Sequence, residues 1–233
     1  EFRRVLFRSP VVTQYEMHGV EELGLLKMDI LGLRNLDVIS DAQAMIRERR
    51  NPDFDIDSIP IDDATTYQLL AQGDTIGVFQ LESSPMRALL RSLIPEKFED
   101  LSAVLALYRP GPMGANMHND FADYKNERKK VHYFHDDFAE VLGDTYGLMI
   151  YQESVMRVAQ RFAGYTLAEA DNLRKACGKK IREVMEQERD KFEQGCVKTG
   201  YGEKLGKDLF DVIVKFADYA FAKSHAYGYG LIS

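Results

Sequence analysis

The chain has 233 residues, 45% of them hydrophobic and 29% charged, the balance of a globular protein rather than a disordered one. No stretch approaches the roughly 20 apolar residues of a membrane span, which excludes a transmembrane protein, and the opening EFRRVLFRS has no signal-peptide core. The net charge of −7 confines any phosphate-binding surface to a local patch, and Cys177 and Cys196 fit neither a disulfide framework nor a metal knuckle, reading as reduced thiols of a cytoplasmic protein.

Residues 1–9 hold three arginines without turn or cap logic, and LFRS is what a common sequencing-adapter end would encode, so this stretch reads as a non-native tail. Both ends look cut, as in an interior slice of a larger protein. From Leu23 to Leu33, alternation predicts a short strand closed by glycines, with Leu25, Lys27 and Asp29 on one face and Leu26, Met28 and Ile30 on the other. A helix from about Asn35 to Arg49 follows, with Leu36, Ile39, Met45 and Ile46 on its inner face. Asp62 can cap a helix that ends before Gly73, and Gly77–Leu81 is a second short strand candidate. Ser84 then Pro85 opens a helix with Met86, Leu89, Leu90 and Leu93 along one side.

Another helix runs from about Lys97 to Leu107 and is stopped by Tyr108-Arg-Pro-Gly-Pro112. Residues 114–144 are polar and loop-rich, with short helical pieces. Gln152–Phe162 is helical, and beyond Gly164 the run Thr166-Leu-Ala-Glu169 is a capping box. The helix it opens puts Leu167, Ala170 and Leu173 inward and stops at Gly178. A charged helix over about Ile181–Gly195 and a more apolar one near Leu205–Phe216 lead into the tail FAKSHAYGYGLIS. The expected fold is mainly α with a small β portion (α+β).

Three constellations carry candidate chemistry. Asp29, on a short strand, suits a metal ligand projecting into a cleft, and suits equally an acid paired with Lys27 or capping a backbone amide; one carboxylate does not make a two-metal site. The run Arg174, Lys175, Lys179, Lys180 and Arg182, uninterrupted by an acid, can hold a triphosphate or a DNA backbone, or complement the dipole of a helix end. In Phe221–Gly230, the donors Lys223, Ser224 and His225 beside Tyr227 and Tyr229 suit phosphate contact and stacking, or aromatic packing. Asp53-Phe-Asp55-Ile-Asp57 looks like a metal motif but lies in a Pro-flanked loop where Asp-rich turns are ordinary. Asp136 and Asp137, with His132 and His135 nearby, lack regular ligand spacing and read as a polar surface loop.

In chain order, the runs GLLKMDILGLRNL, GVFQLESSPMRALLRSL, ALYRPGPM, YGLMIYQESVMRVAQ, GYTLAEADNLRKACGKK and FADYAFAKSHAYGYGLIS resemble the C family of bacterial replicative DNA polymerases, the polymerase III alpha subunits, from about Val12 to Ser233. The resemblance implies template-directed addition of nucleotides to a primer 3′ end with Mg²⁺, in bacterial chromosomal replication. It implies part of a polymerase-beta-like palm sheet followed by helical fingers, with residues 10–34 as the end of the palm and 35–233 as fingers. The family's K-x-D-x-L-G-L segment is Lys27-Met-Asp-Ile-Leu-Gly-Leu33 here, so Asp29 corresponds to the third metal-binding aspartate and Lys27 would reach the primer terminus or a phosphate. The family's Asp-x-Asp pair precedes that strand and is absent from this chain.

The family's L-R-R-A-x-G-K-K helix binds the incoming triphosphate and appears as Leu173-Arg-Lys-Ala-Cys-Gly-Lys-Lys180, where Lys175 keeps charge but loses an arginine's bidentate fork. Its F-N-K-S-H-A segment is Phe221-Ala-Lys-Ser-His-Ala226, with Ala222 in place of an amide. Arg174, Lys175, Lys179, Lys180, Lys223 and His225 are thus the implied nucleotide- or phosphate-binding residues. The implied partners are primer–template DNA, deoxynucleoside triphosphates and replicative holoenzyme subunits including the sliding clamp, the last through regions outside this chain. The implied location is the cytoplasm, at the nucleoid during replication, with no membrane contact. With one of three carboxylates the chain alone is expected to be inactive, and its apolar surface is expected to lie open beside Leu25–Ile30. Two alternatives are a non-catalytic helical module that binds nucleic acid or protein, and the error-prone translesion paralogue of the same family.

Overall fold

A computed structural model of the chain describes residues 12–26, 28, 31–179, 182–217 and 219–233, excluding the side chains of residues 178, 179, 182, 183 and 217. The described residues form thirteen α-helices: α1 (Met17–Glu22), α2 (Arg34–Arg49), α3 (Ala64–Gln72), α4 (Ser84–Leu93), α5 (Phe98–Leu107), α6 (Pro110–Gly114), α7 (Met117–Lys125), α8 (Phe138–Leu142), α9 (Gln152–Ala163), α10 (Leu167–Lys179), α11 (Arg182–Lys198), α12 (Glu203–Ala217) and α13 (Lys223–Ile232). Among them no helix is long and apolar enough to cross a membrane.

Local chemistry sets the helix starts. In α4 the Ser83 hydroxyl, rather than that of Ser84, accepts the Met86 N–H, with Pro85 in the first turn, and Met86, Leu89, Leu90 and Leu93 are all buried. In α3 Asp63, not Asp62, accepts the Thr66 N–H at 2.7 Å, and Gly73 closes the helix at φ +66°. At α10 the capping box closes both ways: Glu169 accepts the Thr166 N–H at 2.8 Å and Thr166 Oγ1 accepts the Glu169 N–H at 3.3 Å.

Those bonds have a pH signature. The Thr166 backbone N–H, with Lys191 Nζ 3.0 Å away, holds the Glu169 carboxyl at about 2, down from about 4.5. A depressed carboxyl stabilises the fold above its unfolded pKa and loses that contribution as pH falls through the folded one. The stability gap between the natural chain and Glu169→Gln, measured by urea unfolding, is therefore expected to be full at pH 6 and to close between about pH 4.5 and 2. A gap that stays constant across that range contradicts the capping role.

The helices enclose two cores. The first gathers Leu90 and Leu93 of α4, Leu101 and Leu107 of α5, Phe121 of α7, Ile150, Tyr151 and Ala226 of α13. The second gathers Phe138 of α8, Phe162 of α9, Leu173 of α10, Phe192 of α11 and Phe210 of α12. Phe216 packs against both. Gly195 lets α11 lie close on α9, because a Cβ there would collide with the Ala163 carbonyl oxygen.

The expected β portion is not found: among the described residues there is no strand, and the fold is all helical rather than α+β. In Leu23–Leu33, residues Leu25, Leu26, Met28 and Leu31–Leu33 lie outside regular structure, while Lys27, Asp29 and Ile30 fall outside the described residues. A lone strand has no ladder partner for its N–H and C=O groups, and alternation alone cannot hold it extended. Gly77–Leu81 is a run of turns, with Gly77 at φ +82°, Gln80 at φ +62°, and Leu81 N–H bonded back to Val78 O at 3.1 Å. Its apolar residues serve a folded-back loop rather than a pleated face.

Three smaller expectations also change. The α10 backbone stays helical through Gly178 to Lys179, a glycine being tolerated inside a helix at modest cost. Leu167 stands 64% exposed, whereas Ala170 and Leu173 are buried as expected. On α2 no residue of the expected inner face is fully buried: Leu36 and Met45 are exposed and Ile39 and Ile46 half-buried. With Leu23, Leu25, Leu26, Met28 and Leu31 also exposed, the N-terminal part presents the open apolar surface expected beside residues 25–30.

Candidate functional site

Residues 150–152 run beside Phe221 in a single parallel bridge. The Gln152 N–H donates to Phe221 O at 2.9 Å, and the Phe221 N–H donates to Ile150 O at 3.1 Å. This bridge sets the start of α9 against the start of α13, and the first two side chains of α9 then reach in opposite directions. The Glu153 carboxylate accepts the Lys223 N–H at 3.0 and 3.2 Å, capping α13. Ala222, at the N-cap position, makes no side-chain cap bond of its own, and Glu153 takes up the first N–H of the helix from outside it. Gln152 Oε1 accepts from Arg174 Nη1 at 3.1 Å, tying α10 to the same point.

The cations of this seam come with their own acids. Asp171 accepts from Arg174 Nε at 2.8 Å with one oxygen and lies 2.7 Å from Lys175 Nζ with the other. The hydrogen bonds from Lys175 and then Arg174 hold the Asp171 carboxyl below the usual range. Lys223 Nζ is 3.4 Å from Asp144 Oδ2, which also meets Arg157 Nη2 at 3.3 Å. The same ammonium stands 5.4 Å from the Tyr151 ring centroid and 5.6 Å from that of Tyr227. Tyr151 is buried, its hydroxyl 3.2 Å from Ser102 Oγ. The His225 ring lies exposed between Phe221, 5.1 Å away edge-on, and Tyr229 at 4.5 Å.

Arg174 and Lys223, from α10 and α13, thus both attach to the first residues of α9, with Lys175 next to Arg174 on Asp171 and His225 two residues beyond Lys223 against Phe221. Lys27, Asp29 and Lys180 lie outside the described residues, as do the side chains of Lys179 and Arg182. Among the described residues no group of three or more His, Cys, Asp or Glu is placed to hold a metal ion. The aspartates that resemble metal motifs make structural bonds. Asp55 caps the short 3₁₀ turn Ile56–Ser58, and Asn51 accepts the Asp53 N–H at 3.1 Å. Asp137 accepts from the Tyr201 hydroxyl and from Arg161 Nη2 at 2.9 Å, bonds that keep its carboxyl low.

Sequence reasoning passed over Gln152, Glu153, Arg157, Asp144 and the double role of Asp171. The available signal was the polar pair Gln152-Glu153 opening a helix directly after an apolar stretch, Leu148–Tyr151, where a side chain is free to bond a neighbouring helix end. It also passed over Arg109, whose Nε donates to Ala106 O at 3.0 Å, whose Nη2 donates to Tyr219 O, and whose guanidinium lies 4.3 Å from the Phe221 ring centroid.

Residues 35–200 match the model of the bacterial DNA polymerase III alpha subunit finger domain. The chain is 55% identical over 227 residues to the DNA polymerase III subunit alpha of Mycobacterium leprae (strain TN), covering 96% of this chain and 19% of that protein. It is 49% identical over 221 residues to that of Bacillus subtilis (strain 168), covering 95% and 20%, and 47% identical over 223 residues to that of Aquifex aeolicus (strain VF5), covering 96% and 19%. The chain therefore spans about a fifth of the length of these curated relatives.

Proposed function

Because the chain belongs to the bacterial DNA polymerase III alpha subunit family, we propose that it supplies the fingers of a DNA-directed DNA polymerase and that the α9–α10–α13 seam binds the triphosphate of an incoming deoxynucleotide. Residues 35–233 are the fingers in this reading and residues 10–34 the end of the palm. The observation that carries it is that Arg174 and Lys223 both attach to the start of α9, through Gln152 and Glu153, while Lys175 and His225 belong to the same two helices.

Arg174 offers a planar fork of N–H donors, part of it already aimed by Asp171 and Gln152, and a fork so oriented loses little entropy on taking a phosphate. Lys175 and Lys223 add point charge beside it, and His225 adds a ring nitrogen within an aromatic stack. The contribution of these residues is positioning and charge neutralisation at the phosphates. Mg²⁺, which polymerases of this kind use, supplies charge stabilisation at the reacting phosphate and primer oxygen; Asp29 is the one carboxylate proposed to be given to it from this chain. The chain alone, without the family's Asp-x-Asp pair, is proposed to be inactive. Its substrates in the whole protein are deoxynucleoside triphosphates and primer–template DNA.

The test uses a full-length alpha subunit carrying this sequence. Arg174→Ala removes charge-assisted hydrogen bonds worth about 1.5–3 kcal/mol, so the KM for deoxynucleotide in single-nucleotide incorporation is expected to rise roughly 10- to 100-fold. Primer–template Kd should stay unchanged, and Arg174→Lys should recover part of the loss. An unaltered nucleotide KM in Arg174→Ala would remove the basis of the reading.

A further inference from the structure

We propose that Arg109 is a positioning residue for this site: it holds the Tyr219–Phe221 approach so that Lys223 and His225 stay in register with the start of α9. The inference rests on the nucleotide reading above and adds to it a residue that touches none of the candidate phosphate ligands.

Arg109 sits between α5 and α6 in an extended conformation, φ −144° and ψ 156°, the region imposed on a residue that precedes a proline. Its guanidinium uses both its edge and its face. The edge donates to the carbonyls of Ala106 at 3.0 Å and of Tyr219, and the face stacks 4.3 Å from the Phe221 centroid. Two residues on, Gly111 makes room for the same approach, since a Cβ there would stand 2.7 Å from Tyr219 Cβ.

Phe221 is the residue through which the position is passed on. Its backbone makes both bonds of the bridge to Ile150 and Gln152, and its ring meets His225 edge-on at 5.1 Å. Directly after it, the Lys223 N–H is bonded to Glu153. Fixing Phe221 therefore fixes where α13 begins and where its Lys and His stand. A lysine at position 109 would keep the charge but lose the fork and the flat face, so one carbonyl bond and the stack would go together.

The experiment takes a full-length alpha subunit carrying this sequence and measures single-nucleotide incorporation, primer–template affinity and hydrogen exchange of residues 219–226. Arg109→Lys is expected to raise deoxynucleotide KM about fivefold with little change in kcat or DNA affinity, and to speed exchange in that segment. In a His225→Ala background the same change should raise KM by less than half that factor, because the two act through one element. Full additivity of Arg109→Lys with His225→Ala, or unchanged exchange over 219–226, overturns the inference. If Arg174→Ala and His225→Ala both leave nucleotide KM unaltered, the nucleotide reading falls by itself, and the exchange measurement alone upholds or overturns the positioning. Arg109→Met repeats the test without the charge; should it fail to fold, Arg109→Lys decides.

Discussion

In a full-length alpha subunit carrying this sequence, Asp29→Asn is expected to lower nucleotide incorporation by about 10³-fold or more while primer–template affinity is retained. A metal ion contributes several kcal/mol of charge stabilisation at a reacting phosphate, and each ~1.4 kcal/mol is a factor of ten in rate. The amide is the same size as the carboxylate but brings no negative charge, and its NH₂ repels a cation. Incorporation that survives in Asp29→Asn with its Mg²⁺ dependence intact would count against the metal role and favour a non-catalytic module.

Phe162→Ala should cost the chain about 3–5 kcal/mol in urea unfolding. Phe162 is fully buried in the last turn of α9, stacked on Phe138 with centroids 4.4 Å apart and tilted against Tyr201 at 4.8 Å. Truncation strips both partners and leaves a cavity between α8, α9 and the start of α12 that rigid neighbours fill only in part. Against a typical net stability of about 5–15 kcal/mol, that is about a fifth or more of what keeps the fold closed. A loss under about 1 kcal/mol would mean that this aromatic stack is not the centre of the second core.

The helices were legible in the sequence where their signals are local. The serine-proline step before α4 and Thr166 to Glu169 announce their helix starts, to within one residue at α4 where Ser83 and not Ser84 caps, because a cap bonds its own backbone within three residues. The expected strands were not legible, because alternation in Leu25–Leu33 describes a face without supplying the neighbouring strand that would make it a sheet. Helix α2 teaches the same lesson from the other side: its apolar positions follow a helical period correctly, yet among the described residues none of them is fully buried.

At the seam, the residue types Arg174, Lys175, Lys223 and His225 could be singled out as chemistry, but the attachment of Arg174 and Lys223 to the start of α9 could not. It depends on Gln152, Glu153 and Asp171, ordinary polar residues that gain a role only when α9, α10 and α13 come together. Pairings of that kind are set by tertiary packing and leave no periodic trace.

The two cores have a consequence for how the molecule holds together. Arg174 belongs to a helix of the second core and His225 to a helix of the first, and the links between the two cores include the Tyr151–Phe221 bridge, the bonds of Lys223 to Glu153 and Asp144, and the shared Phe216. If the two cores form separate cooperative units, this seam is where one would open from the other. A ligand gripping both sides would act as a rivet, converting two melting units into one, so that saturation would appear in calorimetry as a sharper transition as well as a hotter one.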